Sequence, residues 1–428
     1  MPANLPSQFQ PPQGYQQVPS AVDGITVYAP LKQADPTAAP VAYACPNCGA
    51  PTRFDVAAGG VACEHCGYTA PVQAQQVGRQ AGEAEFTFEN LEQSRQGWGV
   101  TRRQLHCDAC GAELELAENA LAATCPFCAS NQVNLRQAPG DHLRPRFLVP
   151  FQVQAADCQQ RARVWLGRGW YHPRALADSA AVQPFSGVYL PFWTFSAQVN
   201  SSWRAEVGHE RSESYYDAAS KSMRTRVVID WRWETGQVQA DYRDLLVQGS
   251  SNVSRVLLGR VQPYSLDGLV TYNPDYLAGW QAQVYNIPLE TAWDEGKAEM
   301  RERSKQQCRQ SIHSAHVRNF SMAADFNEEA WRFILLPVYL TAYRYENRVF
   351  QVLVNGQTGA IGGQKPVDWW KIWLVIAIML LPGLAVGLVG LINRQSGPGL
   401  LVLAFGLLVL GVIGAVVLYR KAVSSEEA

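Results

Sequence analysis

The sequence predicts a multidomain chain: two small four-cysteine ribbons, an α+β domain with antiparallel strands, and a C-terminal two-helix hairpin. Three observations carry this. Eight of the ten cysteines fall into four C-x-x-C pairs. A central stretch of roughly 220 residues mixes aromatic, β-branched runs with amphipathic ones. Two uncharged apolar runs lie near the C-terminus.

Residues 1–40 are rich in Pro and Gln and poor in large apolar side chains, which predicts a disordered tail. They show neither the basic start nor the apolar core of a signal peptide. Pro11-Pro12 is a minimal polyproline element, more simply read as part of an inert tail.

Ribbon one is placed at 41–70 and ribbon two at 102–137. Cys45 and Cys48 are followed by Cys63 and Cys66; Cys107 and Cys110 are followed by Cys125 and Cys128. Both quartets have the same 14-residue gap, and their first cysteines are 62 residues apart, as a duplication would leave them. A C-x-x-C turn brings two thiolates to one metal, and the glycines after Cys48, Cys66 and Cys110 permit the bend. Two turns complete a tetrahedral four-thiolate site, for which zinc is the first choice, giving two structural zinc ions per chain. Disulfides or a redox motif would not repeat four times at matched spacing. Paired thiols without a signal peptide point to a reducing compartment. Ribbons this small need the metal to fold, a contribution of about 10–16 kcal/mol in comparable modules. His65 and His106 flank the turns but are redundant beside complete quartets. The segment 71–101 between the ribbons, with Glu85-Phe-Thr-Phe88 and Gly97-Trp-Gly99, is too short for a domain.

Residues 138–366 form the α+β domain. Val188–Ala197, Val227–Trp233, Ile334–Tyr345 and Val349–Val354 read as strands, with a hairpin turn at Asn355-Gly356. The clearest helix runs from about Pro288 to Val317, with Glu299 and Arg303 at i, i+4. Two similar phrases, Val188-Tyr-Leu-Pro-Phe-Trp193 and Leu335-Leu-Pro-Val-Tyr-Leu340, suggest a distant internal repeat. A proline in each suggests edge strands or bulges.

Residues 367–421 are expected to be a transmembrane hairpin. Ile372–Ile392 and Leu400–Tyr419 each span about 30 Å as helices, the thickness of a bilayer core. Trp369, Trp370, Trp373 and Tyr419 mark one interface. Gly383/Gly387 and Gly411/Ala415 offer small faces for packing. Lys365, Lys371, Arg420 and Lys421 flank the outer ends against Arg394 alone in the loop, which places both termini, the ribbons and the tail 422–428 on the cytoplasmic side of the inner membrane.

No catalytic set emerges. His209-Glu210 lacks the second histidine of a metalloprotease helix, and His313/His316, three apart on a helix, read as an exposed pair. Gly356, Gly359 and Gly362 read as hairpin turns, and there is no phosphate-binding G-x-x-x-x-G-K-[ST] loop or G-x-S-x-G elbow. Cys158 and Cys308 read as buried apolar residues. The sequons at Asn200, Asn252 and Asn319 would not meet the glycosylation machinery in a cytosolic domain. Nucleic acid is an unfavoured partner: residues 41–137 hold 6 Arg and no Lys against 10 Asp plus Glu, and Arg102-Arg103 is too small an exception.

The order of these pieces resembles a bacterial family of membrane-anchored proteins with TFIIB-type zinc ribbons. The phrases that carry the resemblance are Gly187-Val-Tyr-Leu-Pro-Phe-Trp193, Tyr276-Leu-Ala-Gly279, Leu335-Leu-Pro-Val-Tyr339 and Val354-Asn-Gly-Gln-Thr-Gly359, across residues 41–420. The resemblance implies partners of the PspA-like or SPFH (band 7, flotillin-like) kind and a role in envelope stress. The primosomal helicase-like label that members often carry conflicts with the missing nucleotide-binding loop. The expectation is a non-enzymatic adaptor that scaffolds proteins at the membrane through residues 372–419. The alternatives are a membrane-bound regulator contacting DNA or the transcription machinery, and an enzyme with a dispersed site in 138–366.

Overall fold

A computed structural model of the chain describes residues 15–18, 27–30, 44–85, 103–116, 125–128, 130–137, 143–173, 176, 185–219, 221–346, 348–392 and 399–426. Most of the tail predicted to be disordered lies outside these; within it, β1 (Tyr15–Val18) pairs antiparallel with β2 (Val27–Pro30). Phe86–Phe88 and Gly97–Gly99 also lie outside the described residues.

Ribbon one contributes a three-stranded sheet of β3 (Arg53–Asp55), β4 (Gly60–Ala62) and β5 (Thr69–Pro71). Among the described residues, the remaining strands belong to one twelve-stranded sheet. It takes in β6 (Ala84–Glu85), the ribbon-two strands β7 (Arg103–Cys107), β8 (Glu113–Leu116) and β9 (Val133–Gln137), and β10 (Phe147–Leu148). Next come β11 (Ser186–Asp217), β12 (Ser222–Gln248), β13 (Val270–Thr271) and β14 (Gln281–Gln283). The last are β15 (His316–Tyr345), β16 (Arg348–Asn355) and β17 (Ile361–Gly363). Helix α1 spans Ala155–Leu166, α2 Arg255–Arg260 and α3 Leu289–Gln310. Helix α3 thus stops short of the predicted Val317.

The suspected repeat is present as two β-α-β-β units, β10–α1–β11–β12 and β14–α3–β15–β16, related by a local twofold. The two proline phrases pair with each other, Tyr189 opposite Pro337 and Pro191 opposite Leu335, about a centre at Leu190 and Leu336. Each unit's first strand lies parallel to the other's second: Leu148 pairs with Leu335 and Tyr189 with Ala282. The hydrogen bonds repeat as well. Gln152 and Val153 N–H donate to Gly356 O, while Asn286 and Ile287 N–H donate to Gly249 O. Tyr339 Oη donates to Val153 O at 2.7 Å and Trp193 Nε1 to Ile287 O at 3.1 Å.

The symmetry corrects the reading of the prolines. Strands β11 and β15 are interior rather than edge strands. Each proline sits where its outer neighbour changes, from β14 to β12 beside Pro191 and from β10 to β16 beside Pro337. Within a strand residue the N–H and C=O point the same way, and both proline carbonyls point outward to Gly249 and Gly356 N–H. The missing proline N–H therefore faces a gap in the ladder, and no hydrogen bond is lost.

Both faces of the sheet are buried, which is why these strands read as continuous apolar runs. Tyr189, Trp193, Phe195, Phe333, Leu335 and Tyr339 face α1 and α3, through Cys158, Ala162, Ala292 and Met300. Val188, Leu190, Phe192, Ile334, Leu336 and Val338 face α2 and ribbon two. Beyond this core β11, β12 and β15 continue as a long three-stranded arm; β11 alone holds 32 residues, roughly 100 Å of extended chain.

Helices α4 (Trp369–Ile392) and α5 (Gly399–Glu426) are each long and apolar enough to cross a membrane, and they pack against each other. Small residues set the contact: a Cβ on Gly383 would fall 2.7 Å from Leu408 Cγ, and one on Gly411 2.8 Å from Met379 O. Leu388, Val402 and Phe405 point outward, exposed. Trp369 and Trp373 stand 5.6 and 6.5 Å from Tyr419, at one level.

At its base the hairpin is bolted to the body. Lys365 N–H donates to Ser425 O, Val367 N–H to Glu426 Oε1, and Arg348 pairs with Glu426. Lys365 itself is buried, its Nζ bonded to Trp165 O and Arg168 O and 4.0 Å above the Trp165 ring. It is therefore not one of the free interfacial cations that the charge count assumed, and Lys371 is paired with Asp368. Arg420 and Lys421 remain exposed.

Burial, and then the charge of Arg168, push the Lys365 ammonium down from 10.5 to about 8. A depressed lysine costs stability below its folded pKa, and that cost is relieved as pH rises toward the unfolded value. Thermal unfolding in detergent should show stability rising between about pH 8 and 10.5, by on the order of 1–2 kcal/mol, and Lys365→Met should flatten that rise. An unchanged slope in the variant would remove Lys365 as its source.

Candidate metal centres

Each cysteine turn is closed by the same backbone hydrogen bond. The N–H of Cys45, Cys63, Cys107 and Cys125 donates to the carbonyl five residues on, at 2.7–2.9 Å. The glycine after the second cysteine donates back to the first: Gly49 to Cys45, Gly67 to Cys63 and Gly111 to Cys107. These glycines have φ of +72°, +73° and +72°, as the bend requires. The fourth turn has Ala129 there, outside the described residues.

The hairpins bring the turns together in one pattern. Cys45 Sγ lies 3.5 Å from Cys66 Sγ and Cys48 Sγ 3.6 Å from Cys63 Sγ; Cys107–Cys128 and Cys110–Cys125 are 3.6 and 3.7 Å apart. Within each quartet all sulfurs lie within 4.8 Å of one another. A zinc–sulfur bond of about 2.3 Å sets a tetrahedral edge of about 3.8 Å, so the donor set and spacing fit zinc. A disulfide needs about 2.05 Å. All eight cysteines thus fall where the sequence placed them. Four thiolates leave no position open for water, so the metal would hold the fold together rather than act as a Lewis acid.

The surroundings tune the sulfurs unevenly. A hydrogen bond from the Tyr68 backbone draws Cys66 down to about 6, whereas burial pushes Cys110 up to about 12. Acid competes with metal for such thiolates, so affinity falls as pH drops. Neither flanking histidine joins a quartet. His65 is exposed, and His106 faces Glu113 at 3.4 Å and Asp108 at 3.8 Å.

The ribbons are seated differently. In ribbon two Cys107, Cys125, Leu105, Leu114 and Phe127 join the core beneath the sheet, β8 pairs with β14, and Phe127 O accepts from Gln351 Nε2. Ribbon one docks mainly through Phe54, whose ring lies 5.0 Å from Tyr276 and whose N–H donates to Ala278 O. Gly279, at φ +75°, makes room: a Cβ there would meet Arg53 Cβ at 2.8 Å. Cys48 and Cys66 remain exposed, and Arg53 pairs with Glu64.

The Tyr276–Gly279 phrase therefore seats ribbon one. The Asn355–Gly359 phrase builds a turn with the same closure as the cysteine turns: Asn355 N–H donates to Ala360 O, and Gly359 donates back to Asn355. Asn355 Oδ1 accepts from Gln357 and Thr358 N–H where a cysteine would offer sulfur. Its amide donates to Val261 O, and Gln357 bonds both backbone groups of Ser265.

Among the other candidates, Cys158 and Cys308 are buried in helices as expected. His209 lies on β11, 2.7 Å from Glu234. His313 and His316 are not on a helix, because α3 ends at Gln310; His316 opens β15 and faces Glu210 at 3.0 Å. A feature missed in the sequence is Arg332, buried in the sheet between Glu83, Asp244 and Thr194.

Uncharacterized protein YdjG of Bacillus subtilis (strain 168) is 26% identical over 341 residues, covering 78% of this chain and 92% of that protein. The chain is distantly homologous to YdjG. No family model and no solved structure matches.

Proposed function

We propose that the chain is a non-enzymatic adaptor held at the cytoplasmic face of a membrane by α4 and α5, with ribbon one as its protein-docking surface. The observation that carries this is the unequal seating of the two quartets: Cys107 and Cys125 of ribbon two join the core, while ribbon one meets the body through Phe54 and leaves both Cys48 and Cys66 exposed. The bolted hairpin base supports a fixed orientation of that surface to the bilayer. A cleft of about 750 Å³ on the arm is lined by residues such as Ser202, Trp203, Thr235 and Gln237, with neutral polar groups and one arginine, Arg204, as its polar lining.

PspA-like and SPFH proteins are the partner classes to test. Pull-down of the full chain from detergent extract should recover such a protein, and Cys48→Ser should lower the yield. Recovery of nucleic acid alone, with salt-sensitive retention of labelled duplex, would replace this reading with the regulator.

A further inference from the structure

The loop after α1 reaches down to the apolar hairpin. Tyr171 packs against the buried cluster of Val367, Ile372 and Ala422 at the hairpin base, against which Trp369, Ile376 and Leu418 also pack, and its carbonyl accepts from Asp368 N–H at 2.8 Å. Lys371 Nζ donates to His172 O and His172 Nδ1 lies 2.8 Å from Pro366 O, so the loop is fixed at this depth. Ile376 and Leu418 lie inside the two apolar runs, at the end of the hairpin where Trp369 and Trp373 stand against Tyr419. Trp170 stands edge-on to Tyr171 and is 54% exposed, an unburied indole next to the residue that packs on the hairpin base.

Directly beside this loop, α1 forms one wall of a cleft of about 510 Å³ lined by Arg161, Arg168, Gln160, Val164, Trp165 and Asp157. Both arginines are exposed. Arg161 donates to Gly359 O at 3.3 Å through one of the five N–H groups of its guanidinium, and its side chain lines the cleft. Two guanidinium groups against one carboxylate leave the cleft positive, and guanidinium forks match phosphate oxygens.

We propose that this cleft binds the phosphate headgroup of an anionic phospholipid, with Arg161 and Arg168 on the phosphate and Trp170 seated among neighbouring headgroups. The proposal rests on the membrane reading of α4 and α5, which fixes the level of the cleft relative to the bilayer.

The test uses the full chain reconstituted in phosphatidylcholine nanodiscs with and without phosphatidylglycerol, and titrated in detergent with short-chain phosphatidylglycerol while Trp emission is followed. Arg161→Gln/Arg168→Gln should weaken phosphatidylglycerol binding about tenfold. Val164→Glu, at an exposed position, should do the same by charge alone, and Arg211→Gln on the distant arm should change nothing. Equal binding by wild type and both cleft variants would overturn the proposal. So would inorganic phosphate competing as well as the lipid, which would assign the cleft to a soluble anion. Failure of the chain to enter nanodiscs of either composition would instead overturn the membrane reading.

Discussion

Cys107→Ser and Cys125→Ser are expected to unfold the α+β body, whereas Cys48→Ser and Cys66→Ser are expected to empty one metal site and leave the body folded. The sequence alone treats the quartets as equivalent. In the structure Cys107 and Cys125 sit in the core with Leu105, Leu114 and Phe127, which cover the ribbon-two face of the sheet behind Leu190 and Leu336. Losing the metal there removes about 10–16 kcal/mol of local stabilisation and uncovers that face as well. A domain with about 5–15 kcal/mol of net stability cannot absorb such a loss. Ribbon one meets the body mainly through Phe54 and the 276–279 turn, so its loss exposes little else. Elemental analysis should give two zinc ions per wild-type chain and one for the ribbon-one variants. Near-ultraviolet circular dichroism and limited proteolysis of residues 143–366 should distinguish the two classes. Equal loss of the body in both would refute the unequal seating.

The second large effect is expected at Arg332→Ala, a destabilisation of about 3–5 kcal/mol. Arg332 is almost fully buried; it pairs with Asp244 and with Glu83 at 3.3 Å, donates to Thr194 Oγ1 at 3.1 Å and reaches Ala81 O at 3.0 Å. Asp244 adopts φ +57° in a bulge of β12, and Glu83 also accepts from Ser196 Oγ. Removing the arginine leaves the largely buried Asp244 carboxylate without its counter-charge, and frees the segment that carries Glu83 and β6 onto β15. Replacing the set together, as Arg332→Met/Asp244→Asn/Glu83→Gln, should recover most of the loss, because desolvation of the charges offsets much of the gain from pairing them. Denaturant midpoints of the full chain in detergent measure both. A single variant within about 1 kcal/mol of wild type, as for an exposed pair, would show that the network is solvated.

The cysteine turns were legible because each is made within six residues: two thiols, one closing hydrogen bond and, in three of the four, a glycine at positive φ. The Asn355-Gly356 turn was legible for the same local reason. The prolines were misread because their tolerance depends on where neighbouring strands change over, which no stretch of β11 or β15 encodes alone. Lys365 was read as an interfacial charge because its partners, the carbonyls of Trp165 and Arg168, lie far away along the chain. His313 and His316 were placed on a helix that ends before them.

By itself the sequence determined the two cysteine quartets, the α+β class and the apolar hairpin. Each rests on local spacing or on the length of an apolar run, and backbone geometry converts these directly into turns, strands and helices. Only the tertiary structure decided that ribbon two is core and ribbon one an appendage, that the two proline phrases are symmetry mates, and that the loop at Trp170 meets the base of the hairpin. Those outcomes depend on which apolar faces cover one another across long stretches of chain, and burial is a property of the packed whole rather than of any segment.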